Sequence, residues 1–156
     1  MKYNYPMRLE QEDASVFLTF PDFPEIISEW SETELADVDA EESARDALLV
    51  ALQSRVDYGD EIPKPSPASD TDYLIFPSLV VVSKLMLYES LRELGIPRSG
   101  FASKLGLRPT DANRLFDLSH ESRSEQISSA FAALGTRASF DGHVVSVGSF
   151  GTTSRP

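Results

Sequence analysis

The sequence predicts an α+β protein in two parts: an N-terminal layer of strands backed by one helix, and a C-terminal all-α domain. Three observations carry this. Apolar residues recur at every second position near the start but at helical spacing from Leu79 onward. A proline-rich stretch separates the two regimes. Charge is also divided unevenly: residues 1–76 hold 5 Lys/Arg against 18 Asp/Glu, a balance of −13, whereas residues 77–156 hold 9 against 7, a balance of +2. The expected organisation is residues 1–76 as one domain, 77–137 as a second, and 138–156 as a C-terminal strand and tail.

In the first part, Tyr3, Tyr5, Met7 and Leu9 alternate with Asn4, Pro6, Arg8 and Glu10, the period of a strand with one buried face. Pro6 lacks an amide hydrogen and so assigns that strand to a sheet edge. Residues 11–14 are a polar turn, and residues 15–20 (SVFLTF) resume as the second strand of a hairpin. The PDFP of residues 21–24 breaks it, and residues 25–30 (EIISEW) return as a third strand. An acidic segment, 31–37, leads to a helix. Asp39 with Glu42 three residues on is its capping signal. Ala40, Ala44, Ala47, Leu48, Ala51 and Leu52 make one apolar stripe, for which the sheet is the natural surface. Residues 59–72 (GDEIPKPSPASDTD) are extended, because proline fixes φ and removes donors. Residues 73–76 (YLIF) then fit a fourth strand, with the domain boundary near Pro77.

In the second part, Val82, Leu85, Met86, Glu89, Leu91 and Leu94 belong to a helix ending at Gly95, with Pro97 just beyond. Residues 98–118 (RSGFASKLGLRPTDANRLFDL) read as two short helices about a tight corner. Phe101, Ala102 and Leu105 share an apolar face of the first, and Ala112, Leu115 and Phe116 do so on the second. Gly106 supplies the left-handed conformation at the corner, Leu107 is placed to plug it, and either Pro109 or Thr110 starts the second helix. This is the layout of a helix-turn-helix. Arg108, Thr110, Asn113 and Arg114 point away from the apolar face and are residue types that contact phosphates or base edges. A further helix at about 124–134 carries Ile127, Phe131 and Leu134 inward and stops at Gly135. Residues 138–150 form a strand, and 151–156 a loose tail.

Composition narrows the function classes. With no cysteine, disulfides and thiolate zinc sites are excluded. No apolar run approaches a membrane span, and no signal peptide opens the chain, so a cytoplasmic protein without membrane partners is expected. The net charge of −11 argues against nucleic acid, but the C-terminal half alone is mildly basic, and the acidic half calls for a basic partner. His120 and His143 have no companions at metal-ligand spacing, and there is neither a phosphate loop nor a nucleophile elbow. Asp13, Asp22, Asp39 and Asp46 are read as structural or interfacial. No catalytic residue, metal or cofactor is expected.

Taken in order, KYNYPMRLE, FPDFPE, ARDALLVAL, GDEIPKPSP, VSKLMLYESL, FASKLG and NRLFDLSHESRSEQI resemble the HicB antitoxin family, in its helix-turn-helix version, over about residues 2–135. The resemblance implies a type II antitoxin. Its N-terminal domain would be a partial ribonuclease-H-like β-β-β-α-β fold without nuclease activity that masks a basic, mRNA-cleaving HicA-type toxin. Its C-terminal domain would dimerise, bind operator DNA and repress the toxin–antitoxin operon, an autoregulation. Two departures from the family pattern stand out. Residues 30–37 look a few residues longer than the short turn usual there, and the turn at residues 11–14 lacks the usual glycine.

On this basis Arg108, Thr110, Asn113 and Arg114 are expected to face the major groove, with Arg98 and Ser99 on phosphate. The toxin is expected on the surface formed by Phe20, Asp22, Phe23, Glu25, Glu29 and Trp30. The partners are therefore a HicA-type toxin, operator DNA and a second copy of the chain, with a higher homo-oligomer as an extension. The competing expectations are a stand-alone helix-turn-helix regulator with a sensor domain, and a Mg²⁺-dependent ribonuclease-H-like hydrolase using Asp22.

Overall fold

The period of two produces three antiparallel strands in sequence order, β1 (Tyr5–Glu12), β2 (Ser15–Phe20) and β3 (Phe23–Ser31). A short β4 (Tyr73–Ile75) pairs antiparallel with β1, so the order across the sheet is β3-β2-β1-β4. The structure, a computed structural model, describes residues 3–141 and 144–149. The chain divides into two units, Met1–Pro77 and Ser78–Pro156.

In the first unit, the hairpin turn is tighter than expected: β1 runs to Glu12, and only Asp13 and Ala14 connect it to β2. Asp13 has φ 54°, the left-handed region, which aspartate tolerates better than most side chains and which explains how the turn forms without glycine. Pro6 does not lie on an edge strand, because β1 has β4 on one side and β2 on the other. It faces Leu74 of β4, and the ladder to β2 begins only at Arg8, so the missing N–H interrupts no bond of that ladder. The edge strands are β3, which starts at Phe23 and contains Pro24, and the short β4.

The helix is α2 (Ala40–Tyr58), capped by the Asp39 carboxylate on the Glu42 N–H at 3.0 Å and closed by Gly59 at φ 74°. It buries Ala44, Leu48, Ala51, Leu52 and Val56, while Ala40 and Ala47 stay half-buried. Val16, Leu18 and Phe20 of β2 and Tyr5 and Met7 of β1 complete this core. Burial of each large side chain contributes roughly 1.5–3 kcal/mol. The acidic segment contains a one-turn helix, α1 (Glu32–Leu35). Ser31 and Glu34 form a reciprocal capping box, which holds the Glu34 carboxyl below its usual range.

The proline-rich stretch is a strap across this unit. Ile62 is buried, the Tyr5 hydroxyl donates to the Pro63 carbonyl at 2.7 Å, and the Ser66 N–H donates to Asp22 Oδ2 at 2.9 Å. At its far end Asp72 accepts from the Ser69 N–H at 2.8 Å and from Arg8 Nε at 3.0 Å. The Ser69 N–H and Arg8 lower the Asp72 pKa, and Asp72 in turn raises that of Arg8.

The second unit opens with α3 (Leu79–Leu94), capped by Ser78 and ended by Gly95 at φ 65°. Then come α4 (Arg98–Leu105), α5 (Pro109–Asn113), a 3-10 turn (Arg114–Phe116) and α6 (Ser124–Ala133). Ile127, Ala130 and Phe131 of α6 are buried, whereas Leu134 is half-buried beyond its end. The single strand expected here is a hairpin of β5 (Thr136–Asp141) and β6 (Val144–Ser149), so the unit is not all-α. The β-favouring VVSV lies on β6, and its partner β5 begins at Thr136, before the expected strand. The expected tail at 151–156 and His143 lie outside the described residues. Among the described residues no helix is long and apolar enough to cross a membrane.

Candidate nucleic-acid and partner interfaces

In the second unit, α4 and α5 meet at a corner set by Gly106, whose φ of 64° closes α4. The Leu107 N–H returns to the Ala102 carbonyl at 3.1 Å, completing the C-terminal cap. Pro109 occupies the first turn of α5 with Arg108 at the N-cap, so the proline, rather than Thr110, sets the start. Phe101 and Phe116 touch edge to face at 6.0 Å, and Ala102, Ala112 and Leu115 are buried beside them. Leu107 does not plug the corner: it is 42% exposed, with its side chain on the rim of a groove of about 500 Å³ that also takes in Leu105, Leu115, His120 and Gln126. The capping bond uses its backbone and leaves the side chain outside.

The polar residues singled out around this corner occupy the surface. Ser99, Thr110 and Asn113 are exposed. The Arg108 side chain is 83% exposed, and its Nε donates to Asp111 Oδ2 at 3.0 Å. Arg114, 63% exposed, lies 3.9 Å from the other oxygen of Asp111. One carboxylate thus stands between two arginines. Arg98 is half-buried with its guanidinium 5.0 Å above the Phe116 ring, a cation–π contact that ties the start of α4 to the 3-10 turn.

Sequence reasoning missed Asp111 and Lys84. Lys84 is fully buried on α3, and its Nζ donates to the carbonyls of Arg114 at 3.0 Å, Asp117 at 2.7 Å and His120 at 2.5 Å. Burial pushes its pKa down, with Asp117 acting in the opposite direction. The available signal was a lone charge inside the apolar run VVVSKLML, which cannot be buried without partners.

In the first unit, the segment expected to meet a protein partner is only partly on the surface. Phe20 and Phe23 are core residues, packed edge to face at 6.5 Å, and Tyr5 meets Phe23 edge to face at 4.9 Å. This corrects their assignment to a surface: the pairing of Phe20 with Phe23 turns both side chains inward. Trp30 is half-buried opposite Val16. Asp22 accepts from both the N–H and the hydroxyl of Ser66. Glu25 pairs with Arg55 at 2.6 Å, and Glu29 accepts from the Ser15 hydroxyl at 2.7 Å. Ile27, not singled out from the sequence, is 66% exposed between the two glutamates. Among the described residues no three His, Asp or Glu side chains gather in a way that would hold a metal ion.

A profile described as the HicB-like antitoxin of bacterial toxin–antitoxin systems matches residues 4–86, more than half of the chain. The chain belongs to the HicB-like antitoxin family. Among the relatives, Antitoxin HicB of Escherichia coli is 31% identical over 136 residues, covering 86% of this chain and 96% of the relative. Antitoxin HicB 1 of Photorhabdus laumondii is 30% identical over 132 residues, covering 84% and 81%. Antitoxin HicB of Pseudomonas fluorescens is 27% identical over 136 residues, covering 86% and 90%. The HicB-like profile spans the first unit and the first half of α3. The relatives of this HicB-like chain carry the names of antitoxins, not of enzymes.

Proposed function

We propose that this HicB-like antitoxin neutralises a HicA-type, mRNA-cleaving toxin through its first unit. Through its second unit it represses its own operon, binding operator DNA as a homodimer. The first unit, β-β-β-α-α-β, is assigned a partial ribonuclease-H-like fold, and α4 with α5 a helix-turn-helix. The observation that carries this division of labour is the charge split, −13 before residue 77 and +2 after it. An acidic surface competes with phosphate for a toxin's cations, and a mildly basic one accepts DNA.

On the toxin side the accessible residues are Asp22, Glu25, Glu29 and the exposed part of Trp30. On the DNA side Arg108, Thr110, Asn113 and Arg114 face the groove, with Arg98 and Ser99 on phosphate. The protein acts in the cytoplasm, where both partners are. The test is co-expression of the chain with a small, basic HicA-type toxin, sought in the reading frame beside its gene. Growth rescue and co-purification are expected. No rescue, with upstream DNA still bound, would leave a repressor whose first unit answers to something else.

A further inference from the structure

We propose that Lys84 is a positioning residue for the DNA-facing segment of the second unit. This rests on the assignment of DNA binding to that segment, and it adds a buried residue that touches no DNA. An ammonium has three N–H donors and no acceptor. In Lys84 all three find backbone carbonyls, those of Arg114, Asp117 and His120, at 3.0, 2.7 and 2.5 Å. Arg114 opens the 3-10 turn, Asp117 closes it, and His120 lies in the connection to α6. The chain from 114 to 120 therefore wraps around a single nitrogen.

Such a clamp has work to do here. α5 is five residues long, too short to hold its own geometry. Leu115, Phe116 and Leu118 are buried beneath the segment, but apolar burial is non-directional and fixes depth better than path. Three hydrogen bonds converging on one atom fix the path. Because the Arg114 carbonyl is one of the three acceptors, the clamp also sets where the Arg114 side chain leaves the backbone, and with it the Asp111–Arg108 pair alongside. A cation at the end of a helical segment is further favoured by the exposed carbonyl dipoles. Base-edge contacts depend on placement more than phosphate contacts do. Loss of the clamp should therefore reduce discrimination between DNA sequences more than overall attraction to DNA.

The experiment uses the full chain and the duplex immediately upstream of its own coding sequence, with a scrambled duplex as competitor. Lys84→Met keeps length and bulk but has no donor. Leu91→Ala, elsewhere on α3, is a control that destabilises without touching the clamp. Well below each melting temperature, K84M is expected to bind the upstream duplex about tenfold more weakly, with scrambled-duplex affinity nearly unchanged and L91A close to wild type. Faster amide hydrogen exchange at residues 114–120 should accompany it, read without DNA. Wild-type affinity and discrimination in K84M would overturn the proposal, as would equal losses in K84M and L91A. If K84M does not fold, Lys84→Gln, which keeps two donors, takes its place. Unfolding of both variants would overturn the proposal too, making Lys84 a requirement of folding instead of placement. Wild-type protein that does not prefer the upstream duplex refutes the DNA-binding assignment itself, a result separable from K84M because the exchange measurement needs no DNA.

Discussion

Replacing Asp22 by alanine separates a structural carboxylate from a catalytic or purely interfacial one. Asp22 accepts the Ser66 N–H at 2.9 Å and the Ser66 hydroxyl, joining the β2–β3 turn to the proline-rich strap across 44 residues of sequence. A hydrogen bond to a charged acceptor contributes about 1.5–3 kcal/mol, and the two bonds share one half-buried carboxylate, so D22A should cost about 2–3 kcal/mol. For a unit of this size that corresponds to a fall in melting temperature of roughly 10–20 °C. Ser66→Ala keeps the backbone bond and should cost about 1 kcal/mol. The assay is urea unfolding followed by the fluorescence of Trp30, the one tryptophan, which lies in this unit. A double-mutant cycle should return a coupling near 1 kcal/mol between the two residues. Stability of D22A within about 0.5 kcal/mol of wild type, or no coupling, would show that the strap is held without Asp22.

Three further outcomes are expected. Asp72, whose pKa is depressed by Ser69 and Arg8, contributes stability that is present above its unfolded pKa and lost as pH falls through its folded one. The melting-temperature gap between wild type and Asp72→Asn should therefore hold from neutral pH to about 5 and close below about 4; a constant gap down to the most acid point would contradict this. Arg114→Ala should cost about 1–3 kcal/mol of operator affinity and relax specificity; Arg108→Ala should weaken operator binding likewise, with a salt slope reduced by about 1 if its contact is to phosphate. Unchanged affinity of R114A at physiological salt removes that residue from the interface. The double reversal Glu25→Lys, Glu29→Lys should release toxin activity in co-expressing cells while the circular dichroism spectrum stays native. The new cation beside Arg55 costs at most about 1 kcal/mol on an exposed strand, and continued neutralisation would move the toxin to another surface.

Features with local causes were legible in the sequence. Asp39 with Glu42, Gly95 and Gly106 mark helix ends by chemistry within one turn, and the helices begin or end there. The Ser31–Glu34 capping box was equally local, but its acidic context disguised a single-turn helix as a loop. Alternation revealed that Tyr5 and Met7 share a buried face. Whether Phe23 joins that face depends on its register with Phe20, which residue types alone do not encode. Pro6 misled because sheet order is a long-range property: β4 returns some 70 residues later to cover the side that a proline usually leaves open. The candidate site follows the same division. Arg108, Thr110 and Asn113 are exposed as the helical spacing requires, but Asp22 meets Ser66 and Lys84 meets residues 114–120 through chain reversals that no local pattern records.

The outer strand β3 brings a different liability. Among the described residues no strand pairs with the outer edge of β3, which carries Ile26 next to a largely exposed Ile27. Such an edge is a template on which another β-chain can grow. Pro24 removes one donor from the row, and Glu25 and Glu29 bracket the isoleucines with like charge, which repels a second copy in register. Like charge at these two positions is expected to oppose self-association through this edge. Charge reversal preserves that protection and neutralisation removes it, so alanine or glutamine at these two positions should yield a protein that precipitates on concentration before its affinity for anything can be measured.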